Sequence, residues 1–239
     1  MGTGKMRKRN KFLALFLAVT MLFLTCFGSG CSARKKPVVL TMFSIALGKE
    51  KSEDNKIRNL ITEKTGVQVT EVWMEGQYSR NVIDGWLETP QLPDYMYINE
   101  RLDEFYDHGL LVAWDPYLEK YPNIKNLHTD EEWDLLRQSD GKIYSVNIPG
   151  GPFTEDPNAI TNTWGFVVTT SCKDPEAAFK FINDILSEEI MDLRFWGIEG
   201  VDYLKDNDGT HYRTKEMADM WENEEYGVTH VCEYALMPQ

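Results

Sequence analysis

Pro37-Val-Val-Leu-Thr-Met-Phe43, the stretch 54–65 after it and the run Val67-Gln-Val-Thr-Glu-Val-Trp-Met74 decide the fold. The first is a short, almost wholly apolar run, the pattern of a buried strand. The second places Ile57, Leu60 and Ile61 at i, i+3 and i+4 and stops at Gly66, as a helix closed by a C′ glycine does. The third is a second strand. Residues 78–88 put Val82, Ile83, Trp86 and Leu87 on one helical face, and Thr89-Pro90 ends that helix. A short third strand is expected at 95–98, followed by a helix capped by Asn99, carrying Leu102, Phe105 and Tyr106 on one side and closed by Gly109. Strands alternating with single helices pair in parallel through right-handed crossovers. The expectation is therefore an α/β sandwich with ligand sites at the C-terminal ends of its strands.

Farther along, short helices are predicted at 115–120 and 131–137, and a turn at Asp140-Gly141 leads into a strand ending at Val146. Residues 148–163 hold Pro149, Gly150, Gly151, Pro152 and Pro157 with little apolar periodicity, the best linker candidate in the chain. Residues 164–170 form another strand. Asp174-Pro175-Glu176 then supplies an N-cap, a proline at N1 and an acid at N2 for a helix that buries Ala178, Phe181, Ile182 and Ile185. A second short helix starts at Ser187 and carries Met191, Phe195 and Trp196. The tail from Gly197 is less regular.

Toward the N-terminus, Lys5, Arg7, Lys8, Arg9 and Lys11 precede an apolar run from Phe12 to Phe27 and the small residues Gly28-Ser29-Gly30. The run is shorter than the roughly 20 residues a spanning helix needs, so 1–30 is expected to be a cleavable signal peptide. Loss of those five basic residues takes the net charge from −13 to −18 over the remaining 209 residues. Such a surface repels nucleic acid and anionic headgroups. Seven Trp, eleven Tyr and eleven Phe are enough for a real core.

Chemistry-bearing motifs are missing where an enzyme would show them. His108, His128, His211 and His230 never fall at a zinc spacing, and Asp206-Asn-Asp-Gly209 lacks the ligand positions of a calcium loop. There is no Gly-x-Ser-x-Gly elbow, phosphate loop or Cys-His arrangement. No catalytic residue, metal or cofactor is expected. Cys172 and Cys232, the two cysteines beyond residue 31, read as buried thiols.

Small residues before Cys31 resemble a lipobox, although Gly28 stands where the usual leucine would be. Behind it come Glu63-Lys-Thr-Gly-Val67, Leu92-Pro-Asp94, the stretch 109–118, Asp140-Gly-Lys-Ile-Tyr144, Ser171-Cys-Lys-Asp-Pro-Glu176 and Trp196-Gly-Ile-Glu-Gly200. In this order they resemble the extracellular solute-binding lipoproteins of bacterial ABC importers, family 1, the branch mostly associated with sugars and oligosaccharides. The resemblance implies a diacylated Cys31, with 31–36 as a lipidated spacer on the outer face of the cell membrane. It implies ABC permease subunits as partners and a two-lobed clamp closing on a sugar or oligosaccharide. Nucleic acid is not an implied partner.

In the family a long second lobe lies between the segments matched here by 141–144 and 164–186, and residues 148–163 leave no room for it. The expected fold class is thus a periplasmic-binding-protein-like α/β lobe with a mainly parallel sheet flanked by helices, the second lobe largely absent. Residues 37–147 form that lobe, 148–163 a junction, 164–196 its returning strand and helices, and 197–239 a poorly anchored remnant. The sugar reading puts Phe43, Ser44, Tyr97, Asn99 and Trp196 at the strand ends, rings for sugar faces and polar groups for hydroxyls. Against it, Phe43 and Trp196 equally suit a core and Asn99 a helix cap. With one wall gone, sugar binding is expected to be weak or lost. The other readings are a single-lobe relic or protein-interaction module, and a secreted glycan hydrolase.

Overall fold

The computed structural model divides the chain into two units, Met1–Lys36 and Pro37–Gln239. The structure describes residues 36–46, 50–75, 80–88, 91–98, 100–147 and 160–234, and at 44–46, 72–75 and 80–82 the backbone alone. Of the first unit only Lys36 is described, so the signal peptide and Cys31 lie outside the described residues. Among the described residues no helix is long and apolar enough to cross a membrane.

The second unit is built on a four-stranded sheet in the order β2-β1-β3-β4, with β1 Val38–Ala46, β2 Val67–Glu75, β3 Tyr95–Ile98 and β4 Gly165–Val168. β1 pairs in parallel with β2 from Val38↔Val67 to Ala46↔Glu75, and with β3 at Met42↔Tyr95 and Phe43↔Met96. β4 returns antiparallel to β3. The crossovers run in opposite directions, β1 to β2 through α1 (Lys56–Thr65) and β2 to β3 through α2 (Arg80–Glu88). Right-handed crossovers of opposite direction place their helices on opposite faces. Burial agrees: Ile57 and Ile61 of α1 join the larger core with Leu40, Met42, Val69, Tyr95, Tyr97 and Phe166, whereas Ile83 of α2 joins Phe43, Met96, Ile98 and Val167 in the smaller one. Alternate residues of each strand go to alternate faces, the period of two that a doubly covered sheet requires.

Leu92-Pro-Asp94 has a local physical role. β3 begins opposite Met42, so the Thr41 amide has no strand partner on that side; Asp94 Oδ2 accepts from it at 2.6 Å and from Thr41 Oγ1 at 2.8 Å. A buried donor is thereby satisfied where the ladder starts.

After β3 come α3 (Leu102–Asp107), closed at Gly109 with φ 66°, then the short α4 (Asp115–Leu118), α5 (Pro122–Lys125) and α6 (Asp130–Leu135). The N-cap of α3 is Arg101, and Asn99 lies outside the described residues. Thr129 and Glu132 close a reciprocal capping box on α6. The strand predicted into Val146 is not formed. The Ile143 amide donates to Asp115 Oδ2 (2.9 Å) and its carbonyl accepts from Trp114 N (2.8 Å), leaving isolated bridges such as Val146↔Phe166 instead of a ladder. Asp174 caps α7 (Pro175–Ile185) by accepting from Ala177 N at 3.0 Å, and α8 (Glu188–Phe195) follows. Cys172 and Cys232 are both buried and unpaired.

Residues 197–234 are held more firmly than their sequence suggests. A hairpin of β5 (Leu204–Lys205) and β6 (His211–Tyr212) leads to α9 (Lys215–Trp221) and α10 (Glu224–His230), and Cys232 and Tyr234 enter the larger core. Two buried polar side chains do the holding. Asn55, the N-cap of α1, donates to Val228 O and Val231 O at 3.0 Å each, and Arg194 donates to Glu233 O (2.7 Å) and Tyr234 O (3.1 Å). The described part of the tail is therefore not the poorly anchored remnant expected.

Candidate functional site

In an open α/β sheet the C-terminal ends of the parallel strands form the rim where ligands sit. Here that rim is made by the ends of β1 and β3, the start of β4, and the two points where the chain leaves at Asn147 and comes back at Ile160. Residues 47–49, 76–79, 99 and 148–159, which continue from these ends, lie outside the described residues.

Of the five predicted ligand residues, three have described side chains, and alternation along the strands separates two of them. Phe43 turns into the smaller core, 1% exposed, its ring edge-on to Trp86 with centroids 4.6 Å apart. Tyr97 turns into the larger core, where burial pushes its hydroxyl up to about 12. Ser44 is described by its backbone, opposite Trp73 in the β1–β2 register, and Asn99 is not described. Trp196 follows α8 and packs with the C-terminal hairpin: the His211 ring stacks at 5.1 Å, Tyr203 lies at 5.8 Å, and the Arg213 guanidinium sits 4.8 Å over the indole. Arg213 also donates to Phe195 O and Trp196 O, at 2.9 and 3.1 Å. Asp192 anchors the same hairpin. Burial opposes its charge, but hydrogen bonds from Lys205 and His211 hold its carboxyl below the usual range.

The aromatic ring that the fold brings to Tyr97 is Trp164, half-buried, with centroids 6.1 Å apart and planes at 52°. It stands immediately before Gly165, where a Cβ would lie 2.7 Å from the Val146 carbonyl oxygen. Only glycine lets the returning backbone pass that close. Asn147, 3% exposed, bridges the two crossings: its Nδ2 donates to Trp164 O at 2.7 Å and its Oδ1 accepts from Thr161 N at 2.7 Å. Val146 and Phe166 exchange backbone bonds of 3.0 and 2.8 Å beside it. Two further bonds hold the return, Gln138 Nε2 to Asn162 O (2.8 Å) and Asn162 Nδ2 to Arg137 O (2.9 Å). Sequence reasoning missed Trp164 and Asn147; the signal available was a tryptophan-glycine pair at the exit of the proline- and glycine-rich linker.

His128 lies beside the bridge. It is buried against Trp133, ring centroids 4.9 Å apart. Burial holds its pKa below the ordinary histidine value, against the pull of Glu132 3.8 Å away. The rim thus offers an indole, the hydroxyls of Thr161 and Thr163 in mutual contact at 2.9 Å, and backbone groups. These are the groups that suit a neutral hydroxylated solute. Among the described residues no cluster of three or more His, Cys, Asp or Glu could hold a metal ion. A charged cleft of about 390 Å³ between α1 and β2 lies apart from the rim, and its half-buried Arg58 and Glu71 neutralise each other at 2.7 Å.

Solved structures with the same architecture over most of the chain are solute-binding proteins. The alginate-binding protein AlgQ2, solved without calcium ion, superposes with a TM-score of 0.60 at 12% identity, covering 86% of this chain and 77% of its own. The N-glycan transport solute binding protein NgtS of Streptococcus pneumoniae gives 0.56 at 10% identity, covering 84% and 77%. An HMO binding, ABC-transporter associated solute binding protein of Bifidobacterium longum infantis gives 0.55 at 9%, covering 81% and 76%. The chain has a periplasmic-binding-protein-like fold. At these identities the likeness is one of fold, and it agrees with the fold class expected from the sequence. No protein-family model matches the chain, and no curated protein matches it in sequence. The neighbours of this periplasmic-binding-protein-like chain are binding proteins, not enzymes.

Proposed function

We propose that this chain is an extracellular solute-binding lipoprotein of the ABC-importer type, held to the outer face of the cell membrane through Cys31, whose solute is a sugar or oligosaccharide bound weakly by a single lobe. Its partners are the permease subunits of an importer. The observation that carries the reading is the rim itself: beside the end of β3, the segment returning into β4 carries an indole and hydroxyls next to two crossings tied directly to each other by Asn147. The fold neighbours bind alginate, N-glycan or HMO, by their names, which supports a saccharide as solute.

Weak binding follows from the missing wall. Beyond the four-stranded sheet, the described residues hold one other sheet, a hairpin of two-residue strands, and residues 148–159 join the crossings. A clamp buries most of its ligand between two lobes. A ligand on one lobe keeps much of its surface in water yet still loses translational and rotational freedom, a cost of about 4 kcal/mol or more. Ligand-observed NMR of the soluble form, residues 32–239, against a panel of mono- and oligosaccharides tests the site. Saturation transfer to at least one saccharide, lost in Trp164→Ala, is expected. No transfer to any saccharide would favour the alternative, a single-lobe relic or protein-interaction module.

A further inference from the structure

We propose that Asn147 is the positioning residue of this rim: its carboxamide sets the returning backbone, and through it the Trp164 indole, before any ligand arrives. The sugar as ligand rests on the function proposed above; the positioning of Trp164 does not. The carboxamide is 3% exposed and both of its ends are used, on backbone groups 14 and 17 residues later in the chain. A donor must face the Trp164 carbonyl and an acceptor the Thr161 amide. A carboxamide offers both from one planar group, a carboxylate offers no donor, and an aliphatic side chain offers neither. The two partners also fix which end is nitrogen and which is oxygen.

Trp164 is gripped from both sides. Its own carbonyl is held by Asn147, and two residues on, Phe166 exchanges both backbone bonds with Val146 across the glycine that permits the approach. With the main chain fixed at both ends, the indole packs against Tyr97, ring centroids 6.1 Å apart. A ring ordered in the free protein spares the ligand the entropy of ordering it, which matters most where contacts are few. The Gln138–Asn162–Arg137 bonds hold the same segment without touching Trp164. They give a variant at 147 a way to stay folded and supply a control.

The test uses the ligand-free soluble chain, residues 32–239. The near-UV circular dichroism of Trp164 is taken as the difference between each protein and its Trp164→Phe counterpart, and exchange of the Thr161 amide is followed by NMR. Asn147→Asp and Asn147→Leu are expected to lose most of the Trp164 band and to speed Thr161 exchange at least tenfold, while Gln138→Ala keeps the band. An unchanged band and unchanged Thr161 exchange in either folded Asn147 variant would overturn the proposal. Should both variants fail to fold, the wild-type carboxamide protons of Asn147 decide: strong protection supports the bridge, and exchange at the rate of an exposed asparagine overturns it. Titration with maltotriose and cellotriose adds a separate arm. At least fivefold weaker binding by Asn147→Asp is expected, and equal binding counts against positioning. Absence of binding by the wild type counts against the proposed function alone, because the ligand-free readouts stand without it.

Discussion

Replacing Arg194 with methionine should unlock the end of the chain. The side chain is fully buried, and burial lowers its pKa to about 10, so it stays charged at neutral pH. Nε donates to Glu233 O at 2.7 Å and Nη2 to Tyr234 O at 3.1 Å. Hydrogen bonds to a charged group contribute about 1.5–3 kcal/mol each, and their loss leaves two carbonyls short of a donor. Methionine removes a desolvated cation, which recovers part of that loss, and keeps most of the packed stem. The net destabilisation of residues 231–234 is then about 2 kcal/mol, a shift in local opening of roughly 30-fold. Cys232, 1% exposed, reports that opening. Burial pushes its thiol up to about 11 and that of Cys172 up to about 12, so at neutral pH neither reacts appreciably without exposure. Reaction of Cys232 with a disulfide reagent should be accelerated on the order of 30-fold in Arg194→Met, with Cys172 in β4's following turn little changed. Equal rates at Cys232 in both proteins, with the urea midpoint unmoved, would refute the idea that Arg194 holds the tail.

Gly165→Ala should destabilise by about 2 kcal/mol or more, since its Cβ would meet the Val146 carbonyl oxygen at 2.7 Å, whereas Gly85→Ala, open around its Cβ on an exposed helical turn, should stabilise by about 0.5–1 kcal/mol in urea titrations. Acidification should weaken the fold through His128. Burial holds its folded pKa below 6.5, so the unfolded chain binds the proton more readily; stability present above pH 6.5 is lost as the pH falls through the window beneath it. Urea midpoints at pH 7 and pH 5 should show that slope, and His128→Gln should reduce it. Cys31→Ala should move the protein from the membrane fraction to the soluble one, and a variant that still pellets at wild-type levels would place the anchor elsewhere.

The layered order of strands and helices was legible because it is local: period-two and period-3.6 patterns are written in neighbouring residues, as in Ile57, Leu60 and Ile61 before Gly66. What was not legible depends on partners far along the chain. Residues 140–146 carry a strand pattern, yet Asp115 and Trp114, far earlier in the chain, take the Ile143 hydrogen bonds. Arg194 looks like an ordinary basic residue in the last turn of a short helix, and nothing nearby announces that residues 233 and 234 will cover it. The candidate site shows the same division. Phe43 was expected at a strand end, yet β1 runs on to Ala46, and Tyr97 is the last residue but one of β3; which core each ring enters depends on register, and the register assigns them to opposite faces. Trp164 and Asn147 become a pair only when the two crossings meet, 17 residues apart.

We propose that one lobe presents a saccharide rim without a second wall. Calorimetry of residues 32–239 against mono- and oligosaccharides tests it most directly. Dissociation constants of about millimolar or weaker are expected, because losing a handful of contacts at roughly 1.4 kcal/mol per factor of ten carries a micromolar site that far. A dissociation constant of about micromolar or tighter for any of them would contradict it.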